Sequence, residues 1–224
     1  MMSSNRYELV IFDVDGTLMD SLGAISHVVN LSLKELGLPT ISHASVGAIV
    51  GLSLDAAAQR LLPSATQQTR DQLVALYRQH YKALADANSL DHELFPGVRD
   101  TLYELKGRGV TLALATGKSM RGVERMIEEQ NFHGLFAAIK TADCAPSKPH
   151  PGMLEQALAE TAMPPEMALM VGDTDFDLLM ANSAGVDACA FPSGAHPRER
   201  LAAANPKYWI DAIPQVLDIV SGKR

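Results

Sequence analysis

Residues 112–119 read Leu-Ala-Leu-Ala-Thr-Gly-Lys-Ser, an apolar run that breaks abruptly into a hydroxyl, a glycine and a lysine. The last letters match the end of a nucleotide-binding P-loop, whose Gly-x-x-x-x-Gly-Lys-[Ser/Thr] pattern needs a glycine five places before Gly117. Leu112 stands there instead. Residues 110–115 suit a strand buried on both faces and leave no flexible loop to cradle a triphosphate. What remains is Thr116 and a set of backbone amides at the carboxyl end of a strand. A helix expected from about Ser119 adds an N-terminal dipole that favours an anion.

Two further runs have the same doubly buried character, residues 8–12 and 167–171, and weaker strand candidates lie at 137–141, 186–191 and 207–210. Helical periodicity fills the intervals at about 97–108, 119–131, 151–162, 174–184 and 212–221. Alternating strands and helices predict the α/β class, a Rossmann-like parallel sheet with helices on both faces. One segment breaks the alternation. Residues 20–90 hold helix-period stretches at 22–36, 54–62 and 66–87 and no convincing strand, so we read 20–90 as a helical insert and 1–19 with 91–224 as the α/β core.

The 224 residues suffice for one core domain with a smaller insert, and 47% hydrophobic against 20% charged residues is ordinary globular composition. A formal net charge of −7 argues against nucleic acid and against an anionic membrane surface as partners. Asp20, Glu35, Asp55, Asp71 and Asp86 balance Lys34, Arg60, Arg70, Arg78 and Lys82 in the insert, so the acidic excess belongs to the core. With no apolar run of spanning length and no signal-like start, the expected location is cytoplasmic. Cys144 and Cys189 lack any metal-ligand spacing and are expected to be reduced structural thiols.

The first strand ends in Asp13-Val14-Asp15-Gly16-Thr17 and the third doubly buried run in Gly172-Asp173-Thr174-Asp175-Phe176-Asp177. Both acid clusters fall at the carboxyl edge of the sheet, where open α/β folds bind ligands. Asp173 and Asp177, four apart at a helix start, can turn the same way. Carboxylates converging at one edge repel and raise one another's pKa unless a cation neutralises them, and hard oxygen ligands point to Mg²⁺. The metal would also make an acidic pocket attractive to phosphate. Between the clusters, Lys148 precedes Pro149 and is expected on an extended loop before a helix starting near Pro151, a fixed cation at the same edge.

Asp-x-Asp-Gly-Thr, then Ala-Thr-Gly, then Lys-Pro, then Gly-Asp-Thr-x-x-Asp resembles, in that order, the haloacid dehalogenase superfamily of phosphohydrolases. More narrowly it resembles the phosphoglycolate phosphatase branch with its small helical cap. The resemblance runs from Leu9 to about Val186 and includes Leu18-Met19-Asp20-Ser21 and Phe95-Pro96-Gly97. It implies a Mg²⁺-dependent phosphatase acting on a small phosphorylated metabolite, phosphoglycolate the first candidate, and a monomer or homodimer. Asp13 then matches the nucleophile that forms an aspartyl-phosphate, and Asp15 the general acid and base. The Asp13 carboxylate, the Asp15 main-chain carbonyl and the Asp173 carboxylate match the metal ligands, with Asp177 as a supporting acid. Thr116, the Gly117 amide and Lys148 match the phosphate clamp. Gly51, Leu52 and Ser53 match a cap loop facing the leaving group, and Lys118 has no role in this reading.

A sugar-phosphate mutase of the same superfamily is the nearest rival, but it is expected to grip a second phosphate with a cap cation, and the loop 47–53 has none. Arg60 or another cap cation would have to reach in. A non-catalytic phosphometabolite-binding regulatory module is the rival of a different class.

Overall fold

The computed structural model describes residues 5–90 and 92–223. The chain opens with β1 (Leu9–Phe12), a two-residue β2 (Met19–Asp20), and four helices, α1 (Leu22–Glu35), α2 (His43–Gly47), α3 (Leu54–Leu61) and α4 (Gln67–Asp86). A two-residue β3 (Glu93–Leu94) returns the chain to α5 (Val98–Gly107), β4 (Thr111–Ala115), α6 (Met120–Gln130) and β5 (Ala138–Lys140). Then follow α7 (Gly152–Thr161), β6 (Ala168–Gly172), α8 (Asp175–Ala184), β7 (Asp187–Ala190), α9 (Arg198–Ala203), β8 (Tyr208–Trp209) and α10 (Val216–Val220). The helix expected over 212–221 is a 3₁₀ turn at Ile213–Gln215, with Pro214 within it, running into the short α10.

Six strands form one parallel sheet in the order β5-β4-β1-β6-β7-β8. Successive side chains of a strand face opposite ways, and the core follows that rule. Val10 and Phe12 of β1 join Leu112, Leu114, Leu169 and Val171 under α5, α6 and α10. Leu9 and Ile11 join Ala113, Ala115, Ala168 and Met170 under α7 and α8. All four β1 residues are fully buried, each side chain stabilising the fold by roughly 1.5–3 kcal/mol.

The helical segment has its own apolar cluster, in which Val29 and Leu33 of α1, Val46 of α2, Ala58 of α3 and Leu73 and Val74 of α4 pack together. At its base β2 pairs antiparallel with β3, Met19 opposite Leu94 and Asp20 opposite Glu93. The expected boundary residue 91, the expected opening residues 1–4 and residue 224 lie outside the described residues. No helix among the described residues is long and apolar enough to cross a membrane.

Candidate active site

β1 lies between β4 and β6, with Phe12 level with Leu114 and Val171. That register delivers Asp13, Thr116 and Asp173 to one edge of three adjacent strands, each just past the point where its strand ends. Gly16 makes the first turn possible. It sits at φ +84, in the left-handed region, and a Cβ there would lie 2.2 Å from Asp173 Oδ2.

Lys148 arrives on the loop before α7 and is 2% exposed. Its ammonium lies 3.0 Å from Asp13 Oδ1 and 2.5 Å from Asp177 Oδ1. Asp13 Oδ1 also accepts from the Val14 amide at 2.7 Å. Asp177 is committed on its other oxygen too, which accepts from the Thr174 amide and hydroxyl, while Thr174 caps α8 in a reciprocal capping box. Asp173 Oδ1 accepts from Thr17 Oγ1 at 2.7 Å. Asp175 turns away from the cluster and pairs with Arg200 through two hydrogen bonds of 2.7 and 2.8 Å.

Carboxylate oxygens of Asp13, Asp173 and Asp177 lie within 4.8 Å of one another. Two of the cluster's oxygens, Asp13 Oδ2 and Asp173 Oδ2, are buried with no hydrogen-bond partner among the described residues. Burial pushes the Asp13 carboxyl up to about 7, Lys148 pulling it down while Asp177 and Asp15 push with burial. Burial, then Asp177 and Asp13, holds the Asp173 carboxyl well above the ordinary carboxylate range. Two buried, unsatisfied carboxylate oxygens on adjacent strand ends fit a hard divalent cation, whose charge would offset the burial and repulsion that raise both groups.

A carboxyl raised from 3.8 to about 7 on folding contributes stability that is full below pH 4 and is lost as pH rises through 7. The metal-free protein is therefore expected to melt at a lower temperature at pH 8 than at pH 5, by about 2–4 °C for each kcal/mol lost in a chain of this size. Mg²⁺ should reverse the loss at pH 8. Thermal melts with EDTA and with Mg²⁺ at both pH values check this, and a melting temperature indifferent to both would contradict it.

Asp15 is arranged differently. Its two oxygens each accept from the Lys118 ammonium at 2.8 Å, and Oδ1 also accepts from Ser21 Oγ at 2.8 Å. Burial works to raise the Asp15 carboxyl, but Lys118, helped by the Ser21 hydroxyl and by His92, outweighs it, so Asp15 is held below the ordinary carboxylate range. Lys118, without a role in the sequence reading, is thus corrected to the partner of Asp15. A lysine one turn past a strand reads as a surface residue, and nothing local signals the carboxylate 103 positions away. Ser21, at the N-cap of α1, makes no side-chain cap bond and spends its hydroxyl on Asp15. Ser119 does cap α6, accepting from the Gly122 amide.

The loop expected to face the leaving group closes directly on the end of β4, at Gly117. A Cβ on Gly117 would lie 2.5 Å from both the Gly51 and the Leu52 carbonyl oxygens, so glycine is what lets the two segments touch. Gly51 and Leu52 line a cavity of about 750 Å³ that also contacts Asp13, Asp15, Thr116, Gly117 and Lys118. Ser53 is not on its wall. It caps α3, and its amide donates to Ser147 Oγ on the Lys148 loop. Arg60 stands over the Phe176 ring at 5.4 Å and does not line the cavity, whereas Arg78 and Arg121 do.

A doubly wound α/β core that gathers a buried lysine and three buried aspartates, from strand ends, a loop and a helix start, beneath a helical segment is a layout suited to an enzyme. The chain belongs to the haloacid dehalogenase-like hydrolase family, whose model matches residues 10–191. It is 35% identical over 213 residues to the "Probable phosphatase IndB" of Dickeya dadantii, covering 93% of this chain and 91% of that one. It is 30% identical over 227 residues to the phosphoglycolate phosphatase of Vibrio vulnificus strain CMCP6, covering 98% of each. A crystal structure described as a "predicted phosphoglycolate phosphatase" of Haemophilus somnus superposes with a TM-score of 0.85 at 26% identity, covering 96% of this chain and 98% of that one.

Proposed function

We propose that the protein is a divalent-metal-dependent phosphatase that hydrolyses a phosphomonoester through an aspartyl-phosphate on Asp13, residues 1–19 and 91–224 acting as its catalytic core and 20–90 as its cap. The observation that carries the reading is the pair of buried, unpartnered oxygens on Asp13 and Asp173, next to a lysine already bonded to the other oxygen of Asp13. Asp13 Oδ2, Asp173 Oδ2 and the Asp15 main-chain carbonyl would hold Mg²⁺, which when bound supplies positive charge to the phosphoryl oxygens. The names of the relatives add support for phosphatase chemistry and make phosphoglycolate the reference substrate.

Asp13 Oδ1, on the Lys148 side of the carboxylate, attacks phosphorus. Lys148, the Thr116 hydroxyl and the Gly117 amide hold the equatorial oxygens as the bond to the leaving oxygen breaks. Asp177 fixes Lys148 for this task, since its own oxygens are both engaged. Asp15 gives a proton to the leaving oxygen and takes one from the water that attacks the aspartyl-phosphate. For the first of these steps Lys118 must loosen its hold. An arriving phosphate dianion competes for the same ammonium, so substrate binding frees Asp15 to carry its proton.

Lys118→Met should therefore leave Asp15 buried without its cation and raise its carboxyl. The alkaline limb of kcat/KM, set by the protonated Asp15, is expected to move to higher pH by about one unit or more. An unmoved pH profile would remove Lys118 from the account. The direct test of the proposal is phosphate release from a metabolite panel with Mg²⁺ and with EDTA. Metal-dependent release supports it, and metal-independent release or none contradicts it.

A further inference from the structure

The cavity that begins at Asp13, Asp15 and Thr116 does not end near them. It continues between α1, α3 and α4, where Ile25, Val29, Ala57, Leu61, Leu73 and Val74 form its wall. Glycolate has five heavy atoms and occupies on the order of 100 Å³, by comparison with about 30 Å³ for one water in the liquid. About 750 Å³ is several times that volume. A small carboxylate leaving group would leave most of this aliphatic stretch without van der Waals partners, and a polar sugar seated against it would lose water to side chains that return no hydrogen bond, the polar lining being supplied elsewhere by Arg78, Gln79, Arg121 and Arg125.

The cavity wall also carries two aromatic rings. Tyr77 and Tyr81 stack with ring centroids 6.0 Å apart at 27°, and the Lys118 ammonium lies 5.4 Å from the Tyr81 centroid. Both tyrosines and Lys118 line the cavity, so a flat ring passing from the phosphate clamp into the chamber meets a stacked aromatic face.

Resting on the phosphatase reading, we infer that the protein's own substrate is a phosphomonoester with a bulky, apolar, ring-bearing leaving group seated between α1, α3 and α4, in preference to phosphoglycolate. Chamber volume selects for size, the aliphatic wall for apolarity, and Tyr77 with Tyr81 for a flat ring. Arg78 and Arg121, which make no ion pair among the described residues, also line the cavity and leave room for one polar substituent.

The test is a series of phosphate esters of primary alcohols, whose leaving oxygens have similar basicity, so that differences report recognition. Ethyl, phenylethyl and naphthylethyl phosphate vary the apolar volume, a hexose phosphate matches the size with polar groups, and phosphoglycolate is the reference. With wild-type protein and Mg²⁺, kcat/KM is expected to rise by at least about 100-fold from ethyl to naphthylethyl phosphate, the discrimination that two methylenes alone supply in an apolar pocket. It should exceed the hexose phosphate and phosphoglycolate by at least about 10-fold. Ala57→Leu, which narrows the chamber, should compress the naphthylethyl-to-ethyl ratio by about 10-fold. A flat series, or preference for phosphoglycolate or the hexose phosphate, overturns the inference and leaves the phosphatase reading standing. Failure to hydrolyse any member overturns both.

Discussion

Asp13→Asn is expected to lower phosphate release from every phosphomonoester by about 10⁴-fold or more, the scale of loss when a covalent nucleophile is removed. The amide keeps the shape of the carboxylate and loses its nucleophilicity and charge. Asp13 is fully buried, is pushed up to about 7, and shares its surroundings with Asp173 and Asp177. Removing one of these like charges relieves repulsion, and Lys148 retains Asp177 at 2.5 Å. The variant should thus melt at or above the wild-type temperature in metal-free buffer at pH 8. Activity within tenfold of wild type, measured beside a thermal melt, would contradict the assignment of the nucleophile.

Lys148→Met is expected to be costly in a different way. Lys148 and both of its carboxylate partners are fully or almost fully buried, so deleting the ammonium leaves anions without compensation. Breaking a buried pair from one side destabilises by about 3–5 kcal/mol. The same change removes a donor to the phosphoryl oxygens, worth about 10²–10³-fold in kcat. Because the destabilisation arises from the stranded charge, adding Asp13→Asn to Lys148→Met should recover part of the lost stability while activity stays absent. Denaturant melts of the two single variants and the double variant check this. Additive losses would show that Lys148 supports the fold through packing of its stem and not through charge.

These effects follow from features that differ greatly in how visible they are in the chain. β1, β4 and β6 are legible because strands buried on both faces must be apolar throughout, and Leu-Val-Ile-Phe followed by Asp-Val-Asp-Gly marks the strand and its functional edge together. Thr174 is visible as a cap, since Thr followed three residues later by an acid is a helix-start signal. The β2 and β3 pair is not legible. Each strand has two residues, and their partners lie more than 70 positions apart, so no local pattern encodes the ladder.

The site's second ion pair was hidden for the same reason. Lys118 follows Gly117 in what reads as a loop, and only the approach of β1 to β4 sets it against Asp15. The chamber was hidden by the opposite effect. Ile25, Val29, Leu73 and Val74 have helical spacing and read as ordinary core, yet all four line the cavity as well as the apolar interior of the insert. Periodicity reports which face of a helix is apolar and is silent on whether that face meets protein or open volume.

The claim on which the account turns is the covalent step at Asp13. Rapid acid quench of the Mg²⁺-loaded protein during turnover, followed by peptide mass analysis, tests it most directly. The account predicts that the peptide spanning Asp13 is heavier by one phosphoryl group, in a hydroxylamine-labile linkage, and that Asp13→Asn shows none. Steady turnover with the modification on another residue, or on no residue, would contradict it.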